Sequence, residues 1–346
     1  MRRRSCGKAA KAAETGQEAR VRRRSCGKAA KAAETGQERA FRQQNPPHME
    51  STPALSNADA LFEELGRRLY VESQIDIPPD VRQALRDAAA RETQPGARGM
   101  LTTMLRAMEV SDRKQTLVCQ DTGIPIFWIT IGRGIAIDGA AMLDALRRGV
   151  ERATRETPLR SSIVSPIARR NRQTSSGDGV PVFHIEFSSA IDHIDIVMMP
   201  KGSGSESMSF LKMLLPADGE AGIKKFILET CVAAGGRPCP PTIVGVGIGG
   251  SSDLCMTLAK KATLRPVGER HSDPTIAALE VELRDAINST GIGPMGLGGD
   301  TTVLDVHIEA AWTHITLNPV AVNMQCWRGE RRRARVYPDG RVEIGY

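Results

Sequence analysis

The sequence has few aromatic residues, no long apolar run and no closely spaced cysteine pairs. Phe, Trp and Tyr make up 4% of its 346 residues. No stretch reaches the roughly 18 consecutive apolar residues of a membrane-spanning helix, so no membrane association is predicted. A structural zinc site usually contains Cys-x-x-Cys pairs, and none occurs. The apolar content of 40% still supports a sizeable core.

The positive charge is confined to the first 48 residues. The formal net charge is +7, and residues 1–48 hold 13 Lys and Arg against 4 Glu, a net of +9. Residues 49–346 therefore carry a net charge of −2. This distribution predicts no nucleic-acid groove in the folded part. A nucleic-acid-associated protein that uses the basic leader stays an alternative, which deletion of that leader would test.

The basic leader is an internal repeat, because residues 2–18 recur as residues 22–38. Two copies without an apolar face do not build a stacked solenoid. The leader lacks the apolar region of a secretory signal, although its composition overlaps with that of a transit peptide. We predict a disordered leader over 1–48 with Met49 as the true start, a single catalytic domain over 49–335 and a hairpin-like tail over 336–346.

Five cysteines lie in the body, at wide spacings and without a secretion signal. This usage predicts a reducing, cytoplasmic location and no disulfide framework. Cys231 and Cys255 lie on apolar helical stripes and are predicted to be buried in the core. The other three lie in loops and are called the cysteine triad below: Cys119, Cys239 and Cys326.

Each member of the cysteine triad lies at a break between an apolar run and a stretch rich in Gly, Pro or charge, so the three sulfurs can converge. Three thiolates suit an iron–sulfur cluster, and three ligands instead of four leave one iron free to act as a Lewis acid. Zinc is the competing interpretation. Gaps of 120 and 87 residues between the ligands are untypical of zinc sites.

Alternating helical and strand patterns predict an α/β fold with mixed β-sheets flanked by helices. Helices are predicted over 57–70, 79–92, 96–110, 138–155, 219–234, 252–262 and 273–289, with Asp138 as an N-cap. Strands are predicted over 116–118, 124–131, 242–247, 302–310 and 319–325. Residues 180–187 and 191–199 are predicted to form a hairpin.

A Gly-x-Gly-x-x-Gly pattern at Gly245, Gly247 and Gly250 follows one of these strands and precedes a helix. This context is half of a dinucleotide-binding fingerprint. Pro266 interrupts the segment in which the next parallel strand should run, so dinucleotide binding is the weaker interpretation.

Two further glycine-rich segments, 200–206 and 291–300, would let the backbone approach a ligand closely. The second runs into a strand on which Asp305, His307 and Glu309 share one face. A lone histidine is usually structural, but this position beside a glycine loop makes His307 a site candidate.

Several of these motifs occur together and in order: Cys119-Gln120-Asp121-Thr122-Gly123, residues 200–206, Cys239-Pro240-Pro241 with residues 244–250, residues 291–299, residues 305–309 and Cys326-Trp327. Over residues 54–335 the sequence resembles the alpha-type catalytic domain of the iron–sulfur hydro-lyases, which are class I fumarase and L(+)-tartrate dehydratase.

The resemblance implies an oxygen-sensitive [4Fe-4S] cluster on the cysteine triad and reversible hydration of a C4 dicarboxylate, fumarate/malate in the first place and tartrate as the alternative. It implies catalytic roles for His307 and Asp121. It also implies that the substrate is bound by five residues that lie in loops: Gln120, Asp121, Arg160, Gly202 and Gly204.

The resemblance also implies a hetero-oligomer, because this family takes its catalytic base from a beta-type domain and no segment of this sequence resembles one. A separate beta-type subunit is therefore expected as partner. The segment after Trp327 departs from the family, since it reads Arg328-Gly329-Glu330 where small residues are common. A non-catalytic iron–sulfur redox or sensor protein stays the alternative from another functional class.

Overall fold

The structure is a computed structural model that describes residues 58–346. The predicted leader over 1–48 lies outside the described residues. Eight helices and nine strands form within the described part, so the predicted α/β class with mixed, helix-flanked sheets is confirmed. None of these helices is long and apolar enough to cross a membrane.

Three helices come first in the described chain: α1 (Ala58–Ile75), α2 (Pro79–Arg91) and α3 (Pro95–Lys114). Pro79 and Pro95 each lie in the first turn, where the missing N–H leaves no hydrogen bond unmade. Helix α3 ends at Gln115, which takes the left-handed conformation that commonly terminates helices. The loop that carries Cys119 begins there.

The first sheet, sheet 1, contains β1 (Ile124–Gly132), β2 (Val182–Ser188), β3 (Ile194–Lys201), β8 (Arg332–Val336) and β9 (Val342–Gly345). Its strand order is β2-β1-β3-β8-β9. Helix α4 (Gly139–Glu156) follows β1, and the carboxylate of its N-cap Asp138 accepts a hydrogen bond from the Ala141 amide, as predicted. The apolar faces of α1 and α4 form one core with the strands, including Phe62, Leu146 and Phe127.

The second sheet, sheet 2, contains β4 (Phe210–Leu214), β5 (Thr242–Gly249), β6 (Val303–Ala311) and β7 (Asn318–Gln325), in the order β4-β7-β5-β6. Its helices are α5 (Ser203–Glu206), α6 (Gly219–Ala234), α7 (Ser252–Ala262) and α8 (Pro274–Asn288). Cys231 packs in the core beneath sheet 2, and Cys255 packs with Ala259 and Ala321. Both are buried, as predicted.

Two predicted features of sheet 1 were wrong. Residues 116–118 form no strand but a loop whose Val118 amide donates to the Gln74 carbonyl. Strands β2 and β3 do not form a hairpin, because β1 lies between them, parallel to β2 and antiparallel to β3. Proximity in sequence favoured the hairpin, but β1 is an apolar strand buried along most of its length, and both neighbours pair with it.

Candidate functional site

Two loops of sheet 1 meet because of how its strands pair. Ile124, the first residue of β1, lies opposite Lys201, the last residue of β3. The Cys119 loop and the turn after Lys201 are therefore neighbours. The Asp121 carboxylate accepts hydrogen bonds from the Ser203 amide and hydroxyl, at 2.8 and 3.1 Å. Gly123 has φ +73°, and a Cβ there would lie 2.7 Å from the Lys201 backbone, so only glycine fits.

Strand pairing also brings together two loops of sheet 2. Ile243 near the start of β5 lies opposite Gln325 at the end of β7. The Cys239 segment and the Cys326 loop are thus adjacent, and the Trp327 amide donates to the Cys239 carbonyl at 3.2 Å. Cys239 has φ +56°, a conformation that is uncommon for a residue with a side chain and is frequent at functional sites.

Two buried cations connect the loops of one sheet to those of the other. Arg328 donates from Nη2 to the Asp121 carbonyl at 2.9 Å. The Lys201 Nζ donates to the Met324 carbonyl at 2.6 Å and to the Ser205 hydroxyl at 2.7 Å. The loops that carry the cysteine triad therefore meet where the two sheets join.

Helix α1 supports the Cys119 loop. The Tyr70 hydroxyl lies 3.2 Å from the Thr122 carbonyl and 3.3 Å from the Gly123 carbonyl, and Gln74 Nε2 donates to Thr122 at 3.0 Å. Tyr70 and Gln74 are four residues apart and so lie on one face of the helix. Buried side chains thus hold the backbone behind Cys119, while Cys119 itself is exposed.

Burial changes the acidity of two of the triad thiols. Burial raises the pKa of the Cys239 thiol, and the nearby Cys119 sulfur adds to this effect. Burial, with the Glu330 carboxylate second, raises the pKa of the Cys326 thiol to about 12. The Cys326 thiol lies 3.4 Å from the Glu330 Oε2. Metal binding at Cys326 would require loss of the thiol proton.

Across residues 58–346, no group of three or more His, Cys, Asp or Glu side chains is arranged to hold a single metal ion. A cube of four irons holds its thiolates farther apart than a single ion does. Three cysteines from facing loops, one of them at positive φ, match the donor chemistry of such a cluster. The cysteine triad therefore supplies the thiol donors that an iron–sulfur cluster takes.

The predicted substrate residues lie around the same loops. Gln120 is exposed beside Cys119, and the Thr122 hydroxyl donates to the Arg160 carbonyl at 2.6 Å. The Arg160 side chain is exposed. Gly202 lies against the Asp121 carboxylate and Gly204 against the Arg237 carbonyl, and a Cβ at either would be crowded. Close backbone approach thus accounts for both glycines.

His307 lies within sheet 2, on β6. It is 0% exposed, and the register of sheet 2 places it opposite Gly245, three residues inside β5. Its Nε2 is 3.3 Å from the Asp305 carboxylate but outside hydrogen-bonding geometry. Burial opposes ionisation of Asp305, yet His307 and Arg270 outweigh burial and hold the pKa of this carboxyl below its usual range. A cavity of about 570 Å³ is lined by Asp305 and Arg270 but by no member of the triad.

Comparison with known proteins matches residues 63–336 to the family described as Fumarate hydratase (Fumerase). The chain belongs to the fumarate hydratase family. It is 45% identical over 276 residues, 79% of this chain and 97% of the relative, to the "Putative L(+)-tartrate dehydratase subunit alpha" of Methanocaldococcus jannaschii. It is 34% identical over 263 residues, 76% of this chain and 86% of the relative, to the "L(+)-tartrate dehydratase subunit alpha" of Escherichia coli strain K12.

Membership of the fumarate hydratase family confirms the resemblance inferred from the motifs, and the chain is a hydro-lyase. The Gly-x-Gly-x-x-Gly pattern has another explanation in this family member. A Cβ at Gly245 or Gly247 would lie 2.0 Å from a carbonyl oxygen of α7. These glycines let the helix lie close against β5.

Sequence reasoning missed the charged side chains that are buried in this fumarate hydratase family member. The Lys201 side chain, in the glycine-rich segment 200–206, points into the protein and is 0% exposed. Arg328 and Glu330 are also buried and form an ion pair. Their only sequence signal was the departure from the family after Trp327.

Proposed function

We propose that this chain is the alpha subunit of a [4Fe-4S] hydro-lyase that interconverts fumarate and malate. The observation that supports the proposal is that the three loops carrying the cysteine triad meet at the junction of the two sheets. When bound, a cluster held by three cysteines supplies a Lewis-acidic iron with an open position. The triad residues would hold it.

The loops beside the triad would bind the dicarboxylate. The Arg160 side chain is exposed while Thr122 holds its backbone, so the guanidinium is free to grip one carboxylate in a bidentate manner. Gln120 is exposed next to the first ligand and offers an amide donor. The Asp121 carboxylate orders the turn at Gly202 and Gly204, whose backbone would line the substrate.

His307 is a candidate catalytic residue, and its replacement distinguishes a catalytic role from a structural one. Because it is fully buried against Asp305, a purely structural role would lower stability when it is replaced. A catalytic role predicts that His307→Gln lowers turnover while the thermal midpoint stays within a few degrees of wild type.

A separate beta-type subunit would complete the site. Removing a proton from carbon requires a positioned base, and its absence costs roughly 10²- to 10⁴-fold in rate. Cys119 and Gln120 are exposed, which leaves the first ligand loop open to a covering partner. The names of the relatives, each a subunit alpha, support this arrangement. The five free cysteines of the described chain agree with a reducing compartment such as the cytoplasm.

L(+)-tartrate is the second candidate substrate, because the relatives cited above are named for it. Tartrate differs from malate by one hydroxyl group, so discrimination depends on whether the site offers that hydroxyl a hydrogen-bond partner. We favour fumarate and malate because residues 63–336 match the family described as Fumarate hydratase.

The deciding experiment reconstitutes the chain anaerobically with iron, sulfide and a beta-type partner, and assays dehydration of malate and of L(+)-tartrate. We expect turnover with malate, none for the chain alone, and none for a triad Cys→Ser variant, whereas Cys231→Ala keeps activity. Preferred turnover of tartrate would replace the substrate assignment. A loaded cluster without turnover of either substrate would favour a redox or sensor protein.

A further inference from the structure

Arg328 is a buried cation that lies between two loops of the cysteine triad. Arg328 is 2% exposed. It follows Cys326 by two positions, yet its guanidinium reaches the Cys119 loop, where Nη2 donates to the Asp121 carbonyl at 2.9 Å. Nη1 lies 3.4 Å from the Gln74 Oε1 on α1. One side chain therefore contacts two segments outside its own loop.

Glu330 stabilises the charge of this guanidinium. The two side chains form a buried ion pair, and the Glu330 carboxylate also accepts from Gln325 Nε2 at 2.9 Å. The cation is thus held in place from the Cys326 side.

The shape of the guanidinium explains why arginine occupies this position. Its planar fork can donate in two directions at once, toward Glu330 on its own loop and toward Asp121 on the facing loop. A hydrogen bond from a charged donor is stronger than a neutral one. The separation of the Cys119 and Cys326 loops is therefore set by a rigid group that bridges them.

We propose that Arg328 is a positioning residue that holds the Cys119 loop against the Cys326 loop before any metal is bound. The inference rests on the proposed function only in taking these cysteines as ligands. It predicts that loss of the guanidinium loosens residues 117–124 and that a cluster, once loaded, escapes faster.

The test compares three chains in the iron-free state: wild type, Arg328→Met, and the double variant Arg328→Met with Glu330→Gln. The single variant leaves Glu330 buried without its cation and should lower the thermal midpoint. The double variant removes that unpaired charge and should recover most of the midpoint. Amide hydrogen exchange of residues 117–124 is measured for each chain, with Arg333→Met plus Asp195→Asn, a paired change within sheet 1, as the matched control.

We expect exchange in residues 117–124 to be about tenfold faster or more in both Arg328 variants, since a hydrogen bond from a charged group protects by at least that factor. The control pair should leave this segment unchanged. After cluster reconstitution, the double variant should lose its chromophore to a chelator about tenfold faster than wild type.

In the double variant, both the thermal midpoint and the amide exchange rate of residues 117–124 could return to their wild-type values. That result would show that Arg328 only compensates the charge of Glu330, and it would overturn the proposal. Because exchange is measured without iron, that result counts against Arg328 alone. A wild-type chain that takes up no cluster counts instead against the proposed function.

Discussion

The buried ammonium of Lys201 should leave a measurable mark on the pH dependence of stability. Burial lowers the pKa of Lys201 from 10.5 to about 8, although Glu206 and Cys326 oppose the shift. The folded chain therefore binds this proton less tightly than the unfolded chain does. Between about pH 8 and 10.5 the unfolded chain carries the proton and the folded chain does not, so the free energy of unfolding rises with pH in this window.

The size of the effect follows from the shift. A difference of about 2.5 pKa units corresponds to roughly 3 kcal/mol, present in full only above the unfolded pKa. Replacing Lys201 by Met removes the titrating group. The variant should therefore lack this rise, whatever constant offset the lost contacts to Ser205 and Met324 introduce.

Urea unfolding of the iron-free chain at several pH values between 7.5 and 10.5, at fixed ionic strength, measures the difference directly. The free energy of unfolding of the wild type minus that of Lys201→Met should grow by about 2–3 kcal/mol over this pH range. The free energy of unfolding of Lys225→Met, a change at an exposed lysine, should follow that of the wild type. Parallel curves for wild type and Lys201→Met would refute the argument that burial controls this charge.

Three further predictions concern the cluster, the glycine contact and the leader. Replacing any member of the cysteine triad by Ser should abolish the chromophore at about 400 nm, while Cys231→Ala and Cys255→Ala should keep it; the opposite pattern in absorbance spectra would reassign the ligands. Gly123→Ala should cost about 1–3 kcal/mol more than Gly134→Ala in urea unfolding, because both have positive φ but only Gly123 faces backbone within 4 Å; equal losses would contradict the clash. A chain that begins at Met49 should keep its thermal midpoint within a few degrees, and a larger drop would show that the leader packs on the body.

The sequence predicted most elements of the fold because their patterns are local. Asp138 caps α4 as expected, and Pro79 and Pro95 mark helix starts whose bounds agree to within a few residues. The order of strands in sheet 1 was not predictable in this way. Pairing of β1 with both β2 and β3 depends on contacts across tens of residues, which local periodicity does not encode.

The loops of the candidate site could be predicted from the sequence, but the buried side chains that support those loops could not. Loop contexts rich in Gly and Pro singled out the cysteine triad, since such segments cannot continue a helix or strand. The inward turn of Lys201 and the buried pair of Arg328 and Glu330 carry no such local signal. A charged residue in a loop is ordinarily exposed, and only the tertiary structure provides the carbonyl and carboxylate partners that make burial tolerable.

The strand order of sheet 1 also bears on how the chain is made. Strand β3 ends at Lys201, but its neighbour β8 begins only at Arg332, and all of sheet 2 is encoded between them. During synthesis from the N-terminus, one edge of β3 therefore stays unpaired until residues 332–336 have left the ribosome. An unpaired, apolar strand edge is a site for aggregation. A nascent chain stalled within sheet 2 should accordingly depend on chaperones more than the completed protein does.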